Sequence, residues 1–270
     1  MSNDIPPAVG ELPTIAPSSL ASRLSNLFVS PGEVFVEVKT SRVSHANWLV
    51  PALLFILASW CAAALMFSNP SIKQQMVEVQ DEAMQKQFQK QIDSGKMTQA
   101  QVDQMKAGAA KVSGIVHIAS VTIAPVFAAA ATPFWGGFVL WVGAMFIFKR
   151  PFEFLKGVEV VGLAMTVVAV GALVKGLLCA AMGNMFAVPG PILLIKHYDP
   201  TNQLHNALLM LDVFAVWALI LRGIGLAKLS DISPAKALAW VLGVWITITG
   251  GMFALSWAIQ KIVGMAGGQR

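Results

Sequence analysis

Residues 209–222 read Leu-Met-Leu-Asp-Val-Phe-Ala-Val-Trp-Ala-Leu-Ile-Leu-Arg, an apolar run with one acid, Asp212, well inside it. The run ends in a base and is followed by two closely spaced glycines, Gly223 and Gly225. A soluble core helix tolerates such a sequence, but here the run is one of several apolar segments long enough to cross a bilayer. The fold therefore depends on how many such segments there are and how they are joined.

The composition is typical of a membrane protein. Hydrophobic residues make up 56% of the 270 residues and charged residues only 12%, which is about half of the roughly 25% found in soluble domains. The net charge of +5 comes from bases beside apolar runs, where cations set topology and meet anionic head groups. We therefore predict membrane lipids as partners and no nucleic acid. The two cysteines, Cys61 and Cys179, lie inside apolar runs and are interpreted as packing residues.

Five apolar runs predict five transmembrane helices. In chain order they cover residues 48–67, 113–148, 158–182, 205–227 and 236–262. We predict that Asp199-Pro200 starts the fourth helix and Ser233-Pro234 the fifth, because each pairs a capping side chain with a proline suited to the first helical position.

The second run is too long for one simple crossing, and Pro125 and Pro133 interrupt it. We predict one long, kinked segment that crosses near 129–148. Whether residues 113–128 also cross, as a sixth span, stays open. A sixth span would need a hairpin turn at 131–133, which would leave backbone groups unsatisfied in lipid.

The remaining segments are polar or amphipathic. Residues 1–19 hold four prolines and few large apolar groups, which predicts a disordered tail. Residues 20–47 predict two short amphipathic helices in the membrane interface, the second opening with a capping box from Ser30 to Glu33; a partner-binding helix is the alternative. Residues 68–112 predict a polar helical hairpin outside the bilayer, with a second capping box at Thr98-Gln-Ala-Gln101. The fold class is all-α: a polytopic bundle of five transmembrane helices with an extramembrane hairpin.

The bases of the short loops predict the orientation of the bundle. The loops on the side of the N-terminus hold Lys149, Arg150, Lys156, Arg222, Lys228 and Lys236. The loop between the third and fourth spans holds only Lys196. This asymmetry predicts an inner N-terminus and an outer C-terminus, although the lysines of the polar hairpin argue the other way.

Two charges fall inside the predicted hydrocarbon zone. Lys175 and Asp212 each lie about seven residues from the outer end of their spans, which is roughly 10 Å deep at 1.5 Å per residue. Because a lone charge at a span centre costs roughly 2.5–3.5 kcal/mol, opposite charges at one depth are expected to pair. The pair has two readings, a structural anchor, which we favour, or part of a proton or ion relay.

The sequence carries no recognisable catalytic, cofactor-binding or metal site. The nucleotide-binding, nucleophile-elbow and zinc-protease motifs are missing, so we predict that the protein is not an enzyme and has no cofactor. His117, His197 and His205 lie toward the outer side at spacings that match no metal motif.

Glycines recur inside the apolar runs, at Gly136-Gly137, Gly162, Gly223, Gly225 and Gly250-Gly251. A glycine on a transmembrane helix lets another helix approach closely, so these positions predict helix packing.

Several short motifs, taken in order, carry a family resemblance. They are Leu27-Phe-Val-Ser-Pro-Gly-Glu-Val-Phe35, Phe148-Lys-Arg-Pro-Phe152, Asn202-Gln-Leu-His-Asn206, Leu211-Asp-Val-Phe-Ala-Val-Trp217, Leu221-Arg-Gly-Ile-Gly225 and Ser233-Pro-Ala-Lys-Ala237, followed by Trp240 and Trp245. In these motifs, over most of residues 20–262, the chain resembles the Yip family, multispan membrane proteins of the Rab-interacting type, in its bacterial form. The motif positions that we single out are Asp212, Phe214, Trp217, Gly225 and Lys236.

The resemblance implies a five-helix bundle with a cytoplasmic N-terminus and a short outer C-terminus. In eukaryotes the family is linked to vesicle trafficking and binds prenylated Rab GTPases; a bacterium has no Rab cycle, so that partner is not carried over. We predict a protein of the bacterial cytoplasmic (inner) membrane that organises membrane or protein partners, with a second copy or another membrane protein as partner. The alternative is a small transporter or channel that uses Lys175 and Asp212.

Overall fold

A computed structural model describes residues 18–93, 95, 97–195, 198–199 and 202–267. Its α-helices are α1 (Leu20–Asn26), α2 (Pro31–Thr40), α3 (Ala46–Ser68), α4 (Pro70–Asp93), α5 (Gln99–Val142), α6 (Phe154–Met182), α7 (Gln203–Met210), α8 (Val213–Ser230) and α9 (Pro234–Gly267). A π-helical turn, Gly143–Ile147, follows α5, and a 3-10 turn, Pro191–Leu194, precedes α7. The predicted all-α fold is confirmed, since no β-strand occurs in these ranges.

Within the described part, five helices are long and apolar enough to cross a bilayer. Their apolar stretches are Ala46–Ser68, Ala119–Ile147, Phe154–Met182, Val213–Ser230 and Pro234–Leu255. The chain is therefore an integral membrane protein with a helical bundle. We call the end of the bundle where α3, α6 and α9 begin the basal end, and the opposite end, next to α4, the distal end.

Helix α6 lies at the centre of the bundle. Its most apolar stretch is 72% buried, and it packs against α3, α5 and α8. Small residues make the close approach possible: a Cβ on Gly136 of α5 would lie 2.7 Å from Val161, and one on Gly225 of α8 would overlap Val160. Lipid offers no hydrophobic drive for helix association, so this close van der Waals packing contributes much of the adhesion.

Helix α5 joins two elements that were predicted separately. The capping box is confirmed, because the Thr98 hydroxyl accepts from the Gln101 amide while the Gln101 side chain accepts from the Thr98 amide. From there one helix of 44 residues continues through Pro125 and Pro133, about 66 Å at 1.5 Å per residue. The described helix therefore has no hairpin turn at 131–133, where the sixth-span alternative required one.

The π-helical turn ends α5 at a specific side-chain contact. The Trp240 indole of α9 donates to the Val139 carbonyl at 3.0 Å, and its ring fills the space that a side chain at Gly143 would occupy. A side chain inserted at the hydrogen-bond ladder is a known cause of local helix distortion. The contact between Trp240 and Val139 also holds the start of α9 against α5.

The fourth span differs from its prediction as one helix over 205–227. The chain breaks at Leu211 and Asp212, and α8 starts afresh at Val213. The Val213 amide donates to the Pro189 carbonyl at 2.9 Å, so the preceding loop satisfies a group that the break would expose. The predicted cap at Asp199-Pro200 was wrong for Asp199, because Asn202 caps α7; Pro200 lies outside the described residues.

Helices α1 and α2 pack on the bundle itself. Leu27, Phe35 and Val38 are fully buried, and α2 contacts α8 and α6. Their apolar face was predicted to lie in the membrane interface, but the bundle's own basal end covers it. The Ser30 side chain makes no capping bond, so that predicted capping box is not formed.

The predicted disordered tail falls almost wholly on residues 1–17, which lie outside the described residues. Its last two residues are ordered. Ser19 caps α1 by accepting from the Ser22 amide, and Ser18 contacts α2 through Glu37. The prediction of disorder is therefore wrong for Ser18 and Ser19.

Candidate functional site

A buried polar network lies at the basal end, where α1, α2, α3 and α6 meet. Four of its side chains are almost without solvent exposure: Arg23 (7%), Asn47 (1%), Lys156 (7%) and Glu159 (0%). Buried charges are rare unless they are paired. The contacts of each member show how this network is satisfied.

Glu159, in the first turns of α6, is the centre of the network. One carboxylate oxygen accepts from the Ser44 amide at 2.5 Å, and the other accepts from the Asn47 side chain at 3.0 Å. The Lys156 ammonium lies 3.9 Å from the first oxygen. The chain between α2 and α3 is thus tied to α6 by a fully buried carboxylate.

Lys156 holds the C-terminal end of α2. Its ammonium donates to the Val38 carbonyl at 2.7 Å and to the Ser41 carbonyl at 2.6 Å. The last carbonyls of a helix lack intrahelical partners and carry partial negative charge, so a cation is favourable there. Lys156 therefore neutralises Glu159 and caps α2 at the same time.

Arg23 and Glu37 form the outer half of the network. The Arg23 Nη2 lies 2.7 Å from the Glu37 carboxylate, and its Nη1 donates to the Asn47 side-chain oxygen at 3.3 Å. Ser18 adds its amide at 2.6 Å and its hydroxyl at 2.5 Å to the same carboxylate. Burial would raise the pKa of Glu37, but the hydrogen bonds from Ser18 and Arg23 outweigh it and hold that pKa below its ordinary value.

The network connects helices α1, α2, α3 and α6 through ion pairs and hydrogen bonds. Two cations and two anions balance, and every member has partners within hydrogen-bond distance or in an ion pair. Removing one partner from a buried pair typically costs about 3–5 kcal/mol, because the other charge is left uncompensated. These contacts hold the α1–α2 unit on the bundle.

Sequence reasoning missed Glu159 and Asn47. Asn47 directly precedes the predicted first span and Glu159 lies inside the predicted third span, yet Lys175 and Asp212 were the only charges singled out inside the spans. The available signal was the spacing of Lys156 and Glu159, three residues apart on one helical face, where opposite charges pair.

Asp212 lies at the start of α8 and Lys175 lies within α6. The Asp212 carboxylate caps α8, accepting from the Phe214 amide at 2.7 Å and the Ala215 amide at 3.4 Å. Lys175 is half-buried on α6, one turn before Cys179. An acid at a helix start is satisfied by local amides without a distant cation, and the ion pair stays a prediction.

The other motif positions play packing or surface roles. Phe214 fills the space above Gly171 of α6, and Gly225 lies against Val160. Trp217 is 37% exposed on the side of α8. Lys236 is exposed in the first turn of α9.

Helix α9 is the least covered of the candidate spans. Only 6% of its apolar stretch is buried, against 50% for α8. A Cβ on Gly243, Gly250 or Gly251 would meet nothing within 4 Å. By contrast, the glycines predicted for helix packing on α5, α6 and α8 all lie against another helix, which confirms that prediction for them and leaves Gly250 and Gly251 without an intramolecular partner.

Clusters of side chains that could hold a metal ion do not occur among the described residues. No group of three or more His, Cys, Asp or Glu side chains converges there. His205 accepts a hydrogen bond from the Asp199 amide at 3.0 Å, while the side chains of His117 and His197 lie outside the described part.

One comparison with known proteins identifies a family. The family model of the Yip1 domain matches residues 25–268, a range that includes the polar network except Ser18 and Arg23, the five candidate spans and the motifs quoted above. A comparison with the curated proteins finds no match, and neither does a comparison with the solved structures.

Proposed function

The chain belongs to the Yip1 domain family, and from that premise we propose that it is a non-catalytic membrane organiser that binds another membrane helix through α9. A second copy of the chain, or another membrane protein, is the partner. The basal network holds α1 and α2 on the bundle, and α9 presents the contact surface.

The exposed face of α9 is the observation that carries this proposal. Small side chains recur on it every four residues, at Ala239, Gly243, Thr247 and Gly251, and all four are exposed. Small residues at this spacing let two transmembrane helices approach closely. Thr247 does not demand a polar partner of its own, because its hydroxyl donates to the Gly243 carbonyl at 2.8 Å.

The glycines elsewhere in the chain support this reading. Wherever the bundle places a glycine at a helix crossing, the neighbouring atom is close: for Gly176 a Cβ would lie 2.6 Å from the Cα of Ala62. On α9 the same residue type faces open space. Acyl chains can cover any apolar surface, so the apolarity of α9 does not identify the occupant. The small side chains on this face favour a helix.

We further propose a cytoplasmic N-terminus in the bacterial inner membrane. The basal end carries the exposed cations Lys149 and Arg150 in the connection before α6 and Lys228 in the last turn of α8. Positive residues near span ends favour the inner side. The C-terminus of α9 then lies on the outer side, together with the α4–α5 hairpin.

The proposal is tested by filling the α9 face. We expect a double Gly243→Leu, Gly251→Leu variant to fold, because the added atoms point into open space, and to lose self-association or copurifying membrane proteins. The measurements are light scattering of the full chain in mild detergent and cross-linking in native membranes. Met252→Leu, on the same helix at 65% exposure, is the matched control.

Unchanged association in the double variant would overturn the α9 assignment. A flux assay in sealed vesicles addresses the alternative function. If the chain carries an ion flux that Lys175→Gln or Asp212→Asn abolishes while the protein stays folded, transport replaces the organising role.

A further inference from the structure

We propose that the basal end holds a binding surface for the phosphate head group of an anionic phospholipid. The surface, here called the cationic patch, consists of Lys39, Lys149, Arg150, Lys228 and Lys236, with Asp231 at its centre. It is separate from the α9 face and from the buried network, and neither of those assignments is needed for it.

Three separate segments bring the patch together. Lys39, in the last turn of α2, lies 2.5 Å from the carboxylate of Asp231, the residue that ends α8. Arg150, in the connection before α6, is near enough to act on the same carboxylate, and with Lys39 it lowers the pKa of Asp231. At the N-terminal end of α2, the aliphatic chain of Lys228 approaches Gly32, where an added Cβ would lie 3.4 Å from it.

The patch has more positive charge than its own acid can neutralise. Asp231 is 72% exposed and Lys39 35% exposed by side chain, so both are accessible. Lys149, Arg150, Lys228 and Lys236 are exposed and make no side-chain hydrogen bond or ion pair in the described structure. The buried network shows the opposite arrangement, with each cation matched to an anion. An exposed, unbalanced group of cations favours an anionic ligand.

Apolar side chains beside the patch indicate a lipid rather than a soluble anion. Phe28 is 43% exposed and Val29 is 85% exposed, in the turn between α1 and α2. Val29 lies only three residues before Gly32, where α2 meets Lys228. Cations next to exposed apolar residues are the pattern of segments that insert into a bilayer surface, with apolar groups among the acyl chains and bases at the phosphates.

Asp231 allows a test that distinguishes this proposal from non-specific lipid binding. Its carboxylate forms an ion pair with Lys39 and interacts electrostatically with Arg150. It therefore competes with a phosphate for the same two cations. Removing that charge should therefore strengthen lipid binding, whereas a site made only by non-specific attraction to detergent or lipid would gain much less. A role of the cations in topology alone predicts no effect of Asp231 on bound lipid.

The experiment measures lipid retained by the full chain. The protein is equilibrated with mixed micelles containing phosphatidylglycerol or phosphatidylcholine, and bound lipid is counted by native mass spectrometry. We expect selective retention of phosphatidylglycerol by the unmodified chain. Each neutralised cation should weaken it about fivefold, because a base near an anionic surface contributes about 1 kcal/mol. Lys39→Gln with Arg150→Gln is the test variant, and Asp231→Asn should raise retention.

Matched controls keep the result interpretable. Lys73→Gln with Lys90→Gln removes the same charge from α4 and should leave retention unchanged. Lys39→Arg with Arg150→Lys keeps the charge and should retain the lipid. Equal loss in the α4 variant, equal retention of both lipids, or no gain with Asp231→Asn would overturn the proposal.

A final arm separates a lipid from a free phosphate. Glycerophosphoglycerol, the head group without its chains, should displace phosphatidylglycerol only weakly, because it lacks the apolar part that Phe28 and Val29 would contact. Displacement by this soluble compound at concentrations similar to those of the lipid would contradict the lipid assignment.

Discussion

Helices α6 and α9 are both long, apolar and rich in glycine, yet they occupy opposite positions in the molecule. The most apolar stretch of α6 is 72% buried, while that of α9 is 6% buried. Each glycine of α6 in the bundle lies against a neighbouring helix, as Gly162 does against Trp48, whereas Gly243 and Gly250 of α9 face open space.

The difference shows that apolarity alone does not choose the centre of a membrane bundle. Both helices are long and apolar enough to cross a bilayer, so the choice depends on close packing and on satisfied polar groups. Helix α6 has both, since it combines close glycine contacts with the buried Glu159 and Lys156. Helix α9 has the small residues without the partner, which is why it is the helix that we assign to an external contact.

The largest expected effect comes from breaking the polar centre of α6. We expect Glu159→Leu to destabilise the protein by about 3–5 kcal/mol, because Lys156 would remain buried without its counter-charge. The midpoint of thermal unfolding in detergent measures this. The double change Glu159→Leu, Lys156→Met should be clearly milder than the single one. If the two variants are equally unstable, the carboxylate acts through Ser44 and Asn47 alone.

Glycine-to-alanine substitutions are expected to have a smaller effect, of opposite sign at the α6–α8 crossing and on α9. Gly225→Ala places a methyl group into Val160 at the α6–α8 crossing, and overpacking of this kind costs about 1–3 kcal/mol. Gly243→Ala on α9 should stabilise the monomer slightly, since alanine is favoured over glycine in helices by about 1 kcal/mol. Comparable losses at both positions would show that α9 is covered within one chain.

A loss of stability of about 1 kcal/mol is expected from removing the cap at the start of α8. Asp212→Ala should cost roughly that amount through loss of the cap, while Asp212→Asn, which can still accept from the amides, should cost only a few tenths. A double-mutant cycle with Lys175→Met should give no coupling energy if Asp212 acts only as a cap. Coupling above about 0.5 kcal/mol would instead support the ion pair.

The smallest expected effect is the acid dependence of the α1–α2 unit. Because the pKa of Glu37 is lowered in the folded state from its ordinary value of 4.5, the stability from its ionised form is complete above that value. It is lost as the pH falls through the lowered pKa. Glu37→Gln should therefore flatten the acid side of a melting-temperature curve measured against pH. A curve parallel to that of the unmodified chain would contradict this role.

The structure confirms one local prediction from the sequence and one about contact between distant segments. The Thr98 and Gln101 capping box is formed, because its two reciprocal hydrogen bonds need only four consecutive residues. The close approach at Gly225 could also be predicted, since glycine leaves no side chain to block a neighbour. The particular neighbour, Val160, could not, because it lies 65 positions away in the chain.

The break at Asp212 shows why the prediction of the fourth span failed. By composition, the run 209–222 continues unbroken, and one apolar helix is the simplest reading. The carbonyl of Pro189, in a different loop, accepts from the Val213 amide and Asp212 satisfies the next amides. These contacts let a new helix begin there, and only the packed chain supplies the first of them.

The amino-acid sequence by itself determined that the chain is helical, that it belongs in a membrane and which segments are apolar enough to cross it. Those properties depend on side chains within one segment and on their transfer from water. Only the tertiary structure decided that α6 is central, that Asp212 caps a helix and that Glu159 lies in a satisfied network. A buried charge is stable only when partners from distant segments hydrogen-bond to it or neutralise it, and a glycine contact needs a neighbouring helix. Both depend on how the bundle packs.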